Sequence, residues 1–196
     1  MNDVGPWFAR APFEGLQGGV WDLIMADPPW AFKARSAKGL AKSAQRHYEC
    51  RDLAWVKSLP VGDLAAKHCC LWLWATNPML PQQLEVAAAW GFKFSTAGTW
   101  VKTTKKGKLC FGTGHVLRGC SEPFLICTRG APKFSKAVRS AFLGLRREHS
   151  RKPAEGYVHA ERLVPGAQRR LELFSREDRA GWVSWGDEVG KFAEAA

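Results

Sequence analysis

Apolar residues in this chain fall into short runs. The first, VWDLIMAD over 20–27, stops at Asp-Pro-Pro. A run of that length closed by prolines predicts a buried strand. HCCLWLWAT (68–76) and SEPFLICTRG (121–130) predict two more. FKFSTAGTWVKT (92–103) alternates, as a strand does. RRLELFSRE (169–177) predicts a strand with Leu171 and Leu173 on one face. AFLGLRRE (141–148) and GWVSWGDE (181–188) predict shorter pieces. Helical patterns occupy three places. One is a short helix over 51–66, broken near Pro60. A second covers 78–91, with Leu84, Ala87 and Ala88 at helical spacing and Gly91 as its end. A third lies in 150–166, starting near Pro153 and ending near Pro165-Gly166. Strands alternating with helices predict an α/β fold, with a mixed, mostly parallel sheet flanked by helices. Residues 1–19 read as an irregular lead-in, and 31–50 and 104–120 as loops.

Length and charge refine this picture. A chain of 196 residues with no repeat and no boundary reads as one domain over 1–196. Lys and Arg number 29 against 18 Asp and Glu, a net charge of +11. The excess gathers at 33–46, 102–108 and 129–152, with small residues between the charges. That pattern suits contact with phosphates. Six cysteines form no CxxC pair, and Cys69-Cys70 sits in an apolar run as small buried hydrophobes. No ligand spacing for zinc is present, so no metal is expected. Neither a signal peptide nor a membrane span is evident. The expectation is a reduced, cytoplasmic protein without membrane contact.

The first strand carries the most informative chemistry. Ligands of open α/β sheets sit at the carboxyl ends of strands, and Asp27 falls at such an end. The prolines then fix φ and remove donors. Asp27 and the Pro28 carbonyl become two neighbouring fixed acceptors, with the Trp30 ring beside them. A planar ring bearing an NH2 group fits: the exocyclic amine of a nucleobase. Two acceptors holding both hydrogens aim the nitrogen lone pair and stabilise the charge that builds on it. A plain turn with a capping Asp is the other reading of Asp-Pro-Pro by itself.

DPPW (27–30) resembles the motif of the amino-group adenine methyltransferases. The closer resemblance is to the branch typified by the catalytic subunit of the eukaryotic messenger-RNA adenine methyltransferase, with its bacterial and phage members that act on DNA. CLWLWATNPML (70–80), WGFKFSTAGTWVKT (90–103), SRKPAEGYVHAERLVPG (150–166) and RRLELFSRE with GWVSWGDE (169–188) follow in the same order. The resemblance implies a Rossmann-like fold with permuted motif order and S-adenosylmethionine as methyl donor. It implies that Asp27 and Pro28 hold the amino group, that Pro29 shapes the turn, and that Trp30 stacks on the base or walls its pocket. Asp27 is also expected beside the cofactor. Lys152 would meet the cofactor's carboxylate. Arg176 would reach its ribose or carboxylate, with Phe174 packed beneath. Gly186, Asp187 and Glu188 would lie at the ribose or adenine. The eukaryotic relative has His-Asn after the equivalent arginine and an amide-bearing final pair. This chain has Glu177-Asp178-Arg179 and an acidic pair.

Four further residues are candidates for substrate contact. Tyr48 lines the base pocket or anchors the returning loop. Asn77 contacts the base or caps the next helix, the cap being favoured. In GTGHVLRG (112–119), His115 would touch nucleic acid and Arg118 a phosphate. Trp72 and Trp74 are expected in the core. The function expected is N6-adenine methylation of DNA by a monomer or homodimer. RNA as substrate, cytosine as the base and an inactive nucleic-acid-binding subunit are the alternatives. Protein glutamine methylation is disfavoured, because such enzymes carry Asn at the position of Asp27.

Overall fold

The computed structural model describes residues 12–30, 52–113, 116–148 and 151–192. Tyr48 and His115 lie outside the described residues. Among them the strands are β1 (Trp21–Ala26), β2 (Ala65–Trp74), β3 (Lys93–Thr103), β4 (Ser121–Arg129), β5 (Ala141–Leu145), β6 (Arg170–Leu173) and β7 (Val183–Trp185). The helices are α1 (Leu53–Ser58), α2 (Val61–Leu64), α3 (Leu80–Ala89) and α4 (Ala154–Leu163).

All seven strands join one sheet in the order β5-β3-β4-β2-β1-β6-β7. β4 pairs antiparallel with both β2 and β3, and every other pairing is parallel. The ends of six strands and the start of β4 therefore share one edge. β1 lies between β2 and β6, which explains its apolar run Leu23–Ala26: both faces are covered. Ile24 points to one core with Leu71, Leu73 and Leu171, over α1, α2 and α3. Leu23 and Met25 point to the other, with Trp72, Trp74, Phe124 and Tyr157, under α4. Trp72 and Trp74 are core residues as expected, and so are Cys69 and Cys70. α4 packs close because Gly156 has no side chain. A Cβ there would stand 2.8 Å from the Trp74 ring.

Two expectations about α3 are corrected. Its buried face is Gln83, Val86 and Ala87, not Leu84, Ala87 and Ala88. Gln83 turns inward because it has work there. Its Oε1 accepts from the Thr76 N–H at 3.0 Å and its Nε2 donates to Thr76 Oγ1 at 3.4 Å. Asn77 is exposed and opens a single 3₁₀ turn, Asn77–Met79. It caps neither that turn nor α3, whose start has no side-chain cap. Gln83 anchors the turn from inside the helix instead. Among the described residues, no helix is long and apolar enough to cross a membrane.

Candidate active site

The shared edge of the sheet gathers the charged residues. β1 ends and Asp27 follows, its N–H donating to the Leu173 carbonyl at 3.4 Å. The Trp30 N–H closes the turn by donating to the Pro28 carbonyl at 2.8 Å. That leaves the Pro28 oxygen one further lone pair. Trp30 itself is only 6 % exposed and belongs to the core cluster below. Its indole packs under the turn.

Lys152 reaches this edge from the segment leading into α4, where Pro153 starts the helix. Its Nζ lies 2.7 Å from Asp27 Oδ2 and 2.7 Å from Glu122 Oε1. Glu122 is also held by Lys102, at 2.6 Å. The result is an alternating row, Asp27–Lys152–Glu122–Lys102, with no net charge. Lys152 also stands 5.5 Å from the Trp74 ring centroid, and Lys102 4.6 Å from that of Trp100. Burial pushes the Asp27 carboxyl above its ordinary range, against the pull of Lys152, and the charge of Glu122 adds to the rise. Burial acts the same way on Glu122, but Lys152 and Lys102 overcome it and bring that carboxyl down to about 2. Burial alone would lower Lys152; its two carboxylate partners outweigh that and hold it raised, hence cationic.

Glu122 was not anticipated from the sequence. Its signal was present: an acid and a proline opening an apolar strand. In a strand that runs backwards, the start lies where the other strands end.

The next strand supplies a second group. Phe174 follows β6 with φ of 64°, a left-handed conformation rare for a bulky residue. It turns the chain sharply and packs edge-on against Trp185, with ring centroids 5.6 Å apart. Arg176 Nε pairs with Glu188 Oε2 at 3.0 Å, and Lys191 also meets Glu188. Asp187 is exposed. The loops after β6 and β7 touch at Gly186, where a Cβ would lie 2.8 Å from the Ser175 carbonyl oxygen. Glu177 collects Arg147 at 3.3 Å, Arg151 at 2.6 Å and Arg179 at 3.0 Å. Below it, buried Glu172 accepts from the Tyr157 hydroxyl at 2.6 Å and from the Ser175 hydroxyl at 2.9 Å. Burial raises the Glu172 carboxyl to about 7, although those two hydrogen bonds and Arg179 pull it down. Arg118 is exposed on the β3–β4 hairpin, 5.4 Å above the Phe111 ring.

Thus Asp27, Lys152 and the unforeseen Glu122 come together. Arg176, paired with Glu188, is near enough to Asp27 to pull its carboxyl down, and Asn77 and Asp187 are exposed.

A seven-stranded, mostly parallel sheet with charged groups along its carboxyl edge is the Rossmann-like fold of S-adenosylmethionine-dependent methyltransferases. The MT-A70 family model matches residues 21–188, and the chain belongs to that family. MT-A70 methyltransferases use S-adenosylmethionine. The residues here fit such a ligand. An ammonium has three hydrogens, and Lys152 commits two of them to Asp27 and Glu122, leaving one for a carboxylate. Carboxylates nearby suit a ribose diol. The chain is 33% identical to the N6-methyladenosine RNA methyltransferase MTA1 of Cryphonectria parasitica, over 89% of this chain and 53% of that protein. It is 27% identical to the Type II methyltransferase M.MunI of a Mycoplasma species, over 96% of this chain and 84% of that protein. It is 29% identical to the N(6)-adenine-specific methyltransferase METTL4 of Mus musculus, over 89% of this chain and 39% of that protein. The chain therefore spans about half the length of the fungal protein and less of the mouse one.

Proposed function

We propose that the protein methylates the N6 amino group of adenine in DNA, with S-adenosylmethionine as donor. The observation that carries this reading is the 2.7 Å contact of Asp27 with Lys152, which joins the two motifs of the resemblance at one strand edge. When bound, the cofactor supplies an electrophilic methyl group on a sulfonium. The chain does the rest by position. Asp27 Oδ1 and the spare lone pair of the Pro28 carbonyl accept the two N6 hydrogens. The amine is then held with its lone pair forward, and the positive charge that builds on nitrogen meets the carboxylate. The N6–methyl bond forms as the sulfur–methyl bond breaks. The extra proton leaves N6 afterwards, to water, so no strong base is needed. Lys152 pulls the Asp27 carboxyl toward its charged form against burial and offers its remaining hydrogen to the donor's carboxylate. Arg176 with Glu188 serves the ribose side.

The ground for DNA is likeness to the Type II methyltransferase across 96% of this chain, set against likeness to the fungal RNA methyltransferase across 89%. The identity with the latter, 33%, is what favours RNA as the second reading. An inactive binding subunit is disfavoured because Asp27 and Lys152 are both present and paired. The test is transfer from tritiated S-adenosylmethionine to duplex DNA, single-stranded DNA and RNA, with the methylated base identified by nucleoside chromatography. Label in N6-methyladenine from DNA is expected. Label only in RNA moves the assignment to the second reading, and no label in any adenine overturns both.

A further inference from the structure

The proposed reaction acts on the base edge, which in a duplex is paired and stacked. An enzyme working on such an atom turns the nucleotide out of the helix. Something must then fill the gap. We propose that the hairpin joining β3 to β4 is a wedge that enters the base stack, with Phe111, Val116 and Leu117 as the inserted side chains. This inference rests on the proposed function.

Three observations carry it. The first is attachment. The hairpin springs from the active site itself, since Lys102 on its rising arm and Glu122 just past its falling arm form the 2.6 Å ion pair of the charged row. Backbone bonds stiffen it. Cys110 donates to the Lys102 carbonyl at 2.9 Å, Lys102 to Cys120 at 2.8 Å and Gly112 to Gly119 at 2.8 Å. The second is exposure. Phe111, Val116 and Leu117 are 80%, 86% and 83% exposed, and Leu109, two residues before Phe111, is 60% exposed. Isolated exposed hydrophobics are ordinary, but four within one short hairpin are not. The third is charge. Residues 104–120 hold Lys105, Lys106, Lys108 and Arg118 and no acid. Apolar side chains ringed only by cations suit a polymer with a stacked interior and an anionic exterior. Apolar wedges between base steps are a known way to part a stack.

The test compares three substrates: a duplex with the target adenine opposite thymine, the same duplex with the adenine opposite an abasic site, and the single strand. Phe111→Ser and the double variant Val116→Ser/Leu117→Ser are measured beside the wild type, after circular dichroism and thermal melting show that they fold. Methylation of the paired adenine is expected to fall by about tenfold or more. Methylation of the two unpaired adenines is expected to stay within about threefold. The fluorescence rise of 2-aminopurine at the target position, seen on wild-type binding to the duplex, is expected to vanish. Equal rates for variants and wild type on the paired duplex overturn the wedge. So does an equal loss on all three substrates, and so does a drop in oligomeric size by sedimentation together with that loss, which would make the hairpin a contact between subunits. Wild-type activity confined to unpaired strands overturns the wedge and leaves the methyltransferase reading standing. Wild-type transfer to no adenine overturns both.

Discussion

Lys152 lies 2.7 Å from Asp27 and equally close to Glu122, so one ammonium bridges two carboxylates, the second of which it shares with Lys102. Removing it is expected to hurt the fold as well as the reaction. Lys152→Met takes the ion-pair partner from Asp27 and leaves Glu122 with Lys102 alone, which costs about 3–5 kcal/mol. Urea denaturation checks this. Adding Glu122→Gln to that variant returns the row to zero net charge and is expected to recover part of the loss.

Asp27→Asn keeps the shape of the side chain and discards its charge. One of the two acceptor oxygens becomes a donor. Transfer to adenine is expected to fall by about 10²–10³, the scale for losing one preorganised partner of a developing charge. Cofactor affinity by calorimetry is expected to change far less, since Lys152 and Arg176 are untouched.

Glu172 makes stability depend on pH in a direction unusual for a carboxylate. Burial raises its pKa from 4.5 to about 7 in the folded protein. A raised group contributes stability that is complete below 4.5 and is lost as pH climbs through about 7. The shift corresponds to roughly 3 kcal/mol. Glu172→Gln is therefore expected to flatten the melting temperature between pH 5 and pH 8, within about 1 °C per pH unit of a constant background. A wild-type slope that survives the substitution would contradict this assignment.

Glu122 has the opposite sign. Its folded pKa stands at about 2 against an ordinary 4.5, because Lys152 and Lys102 outweigh burial. Its contribution is complete above 4.5 and is lost as pH falls toward 2, again on the order of 3 kcal/mol. The stability gap between wild type and Glu122→Gln is expected to be widest near neutrality and to close in acid, as read by denaturant titration at a series of pH values.

Gly186→Ala tests the contact of the two loops behind Arg176. The added Cβ would sit 2.8 Å from the Ser175 carbonyl oxygen and 2.9 Å from its nitrogen, and backbone cannot swing aside as a flexible side chain can. A loss of about 1–3 kcal/mol is expected, with weaker S-adenosylmethionine binding. Binding unchanged within twofold would separate this contact from the cofactor site.

The elements were legible because short apolar runs end at Pro and Gly, and the observed strands and helices fall where those runs lie. Asp27 and Lys152 were legible as motif residues. Glu122 was not, because nothing in a one-dimensional pattern says that β4 is reversed. The burial of Trp30 was not legible either, since an aromatic next to a motif looks the same whether it faces ligand or core. The inward Gln83 was missed because helical periodicity counts apolar residues, and the buried face of α3 includes an amide bound to Thr76.

The position of β1 has a consequence for synthesis. β1 is made long before β6, yet its pairing with β6 joins Leu23 to Arg170 and Ala26 to Leu173. A growing chain therefore displays an unpaired, apolar strand edge until β6 has emerged. Such non-local pairing is slow and prone to aggregation. It also means that Asp27 has no Lys152, and no completed strand edge around it, until most of the chain exists. The proposed site is therefore assembled only after β6 and the segment of Lys152 have been made, and a shorter ribosome-bound fragment carries Asp-Pro-Pro-Trp without its lysine partner.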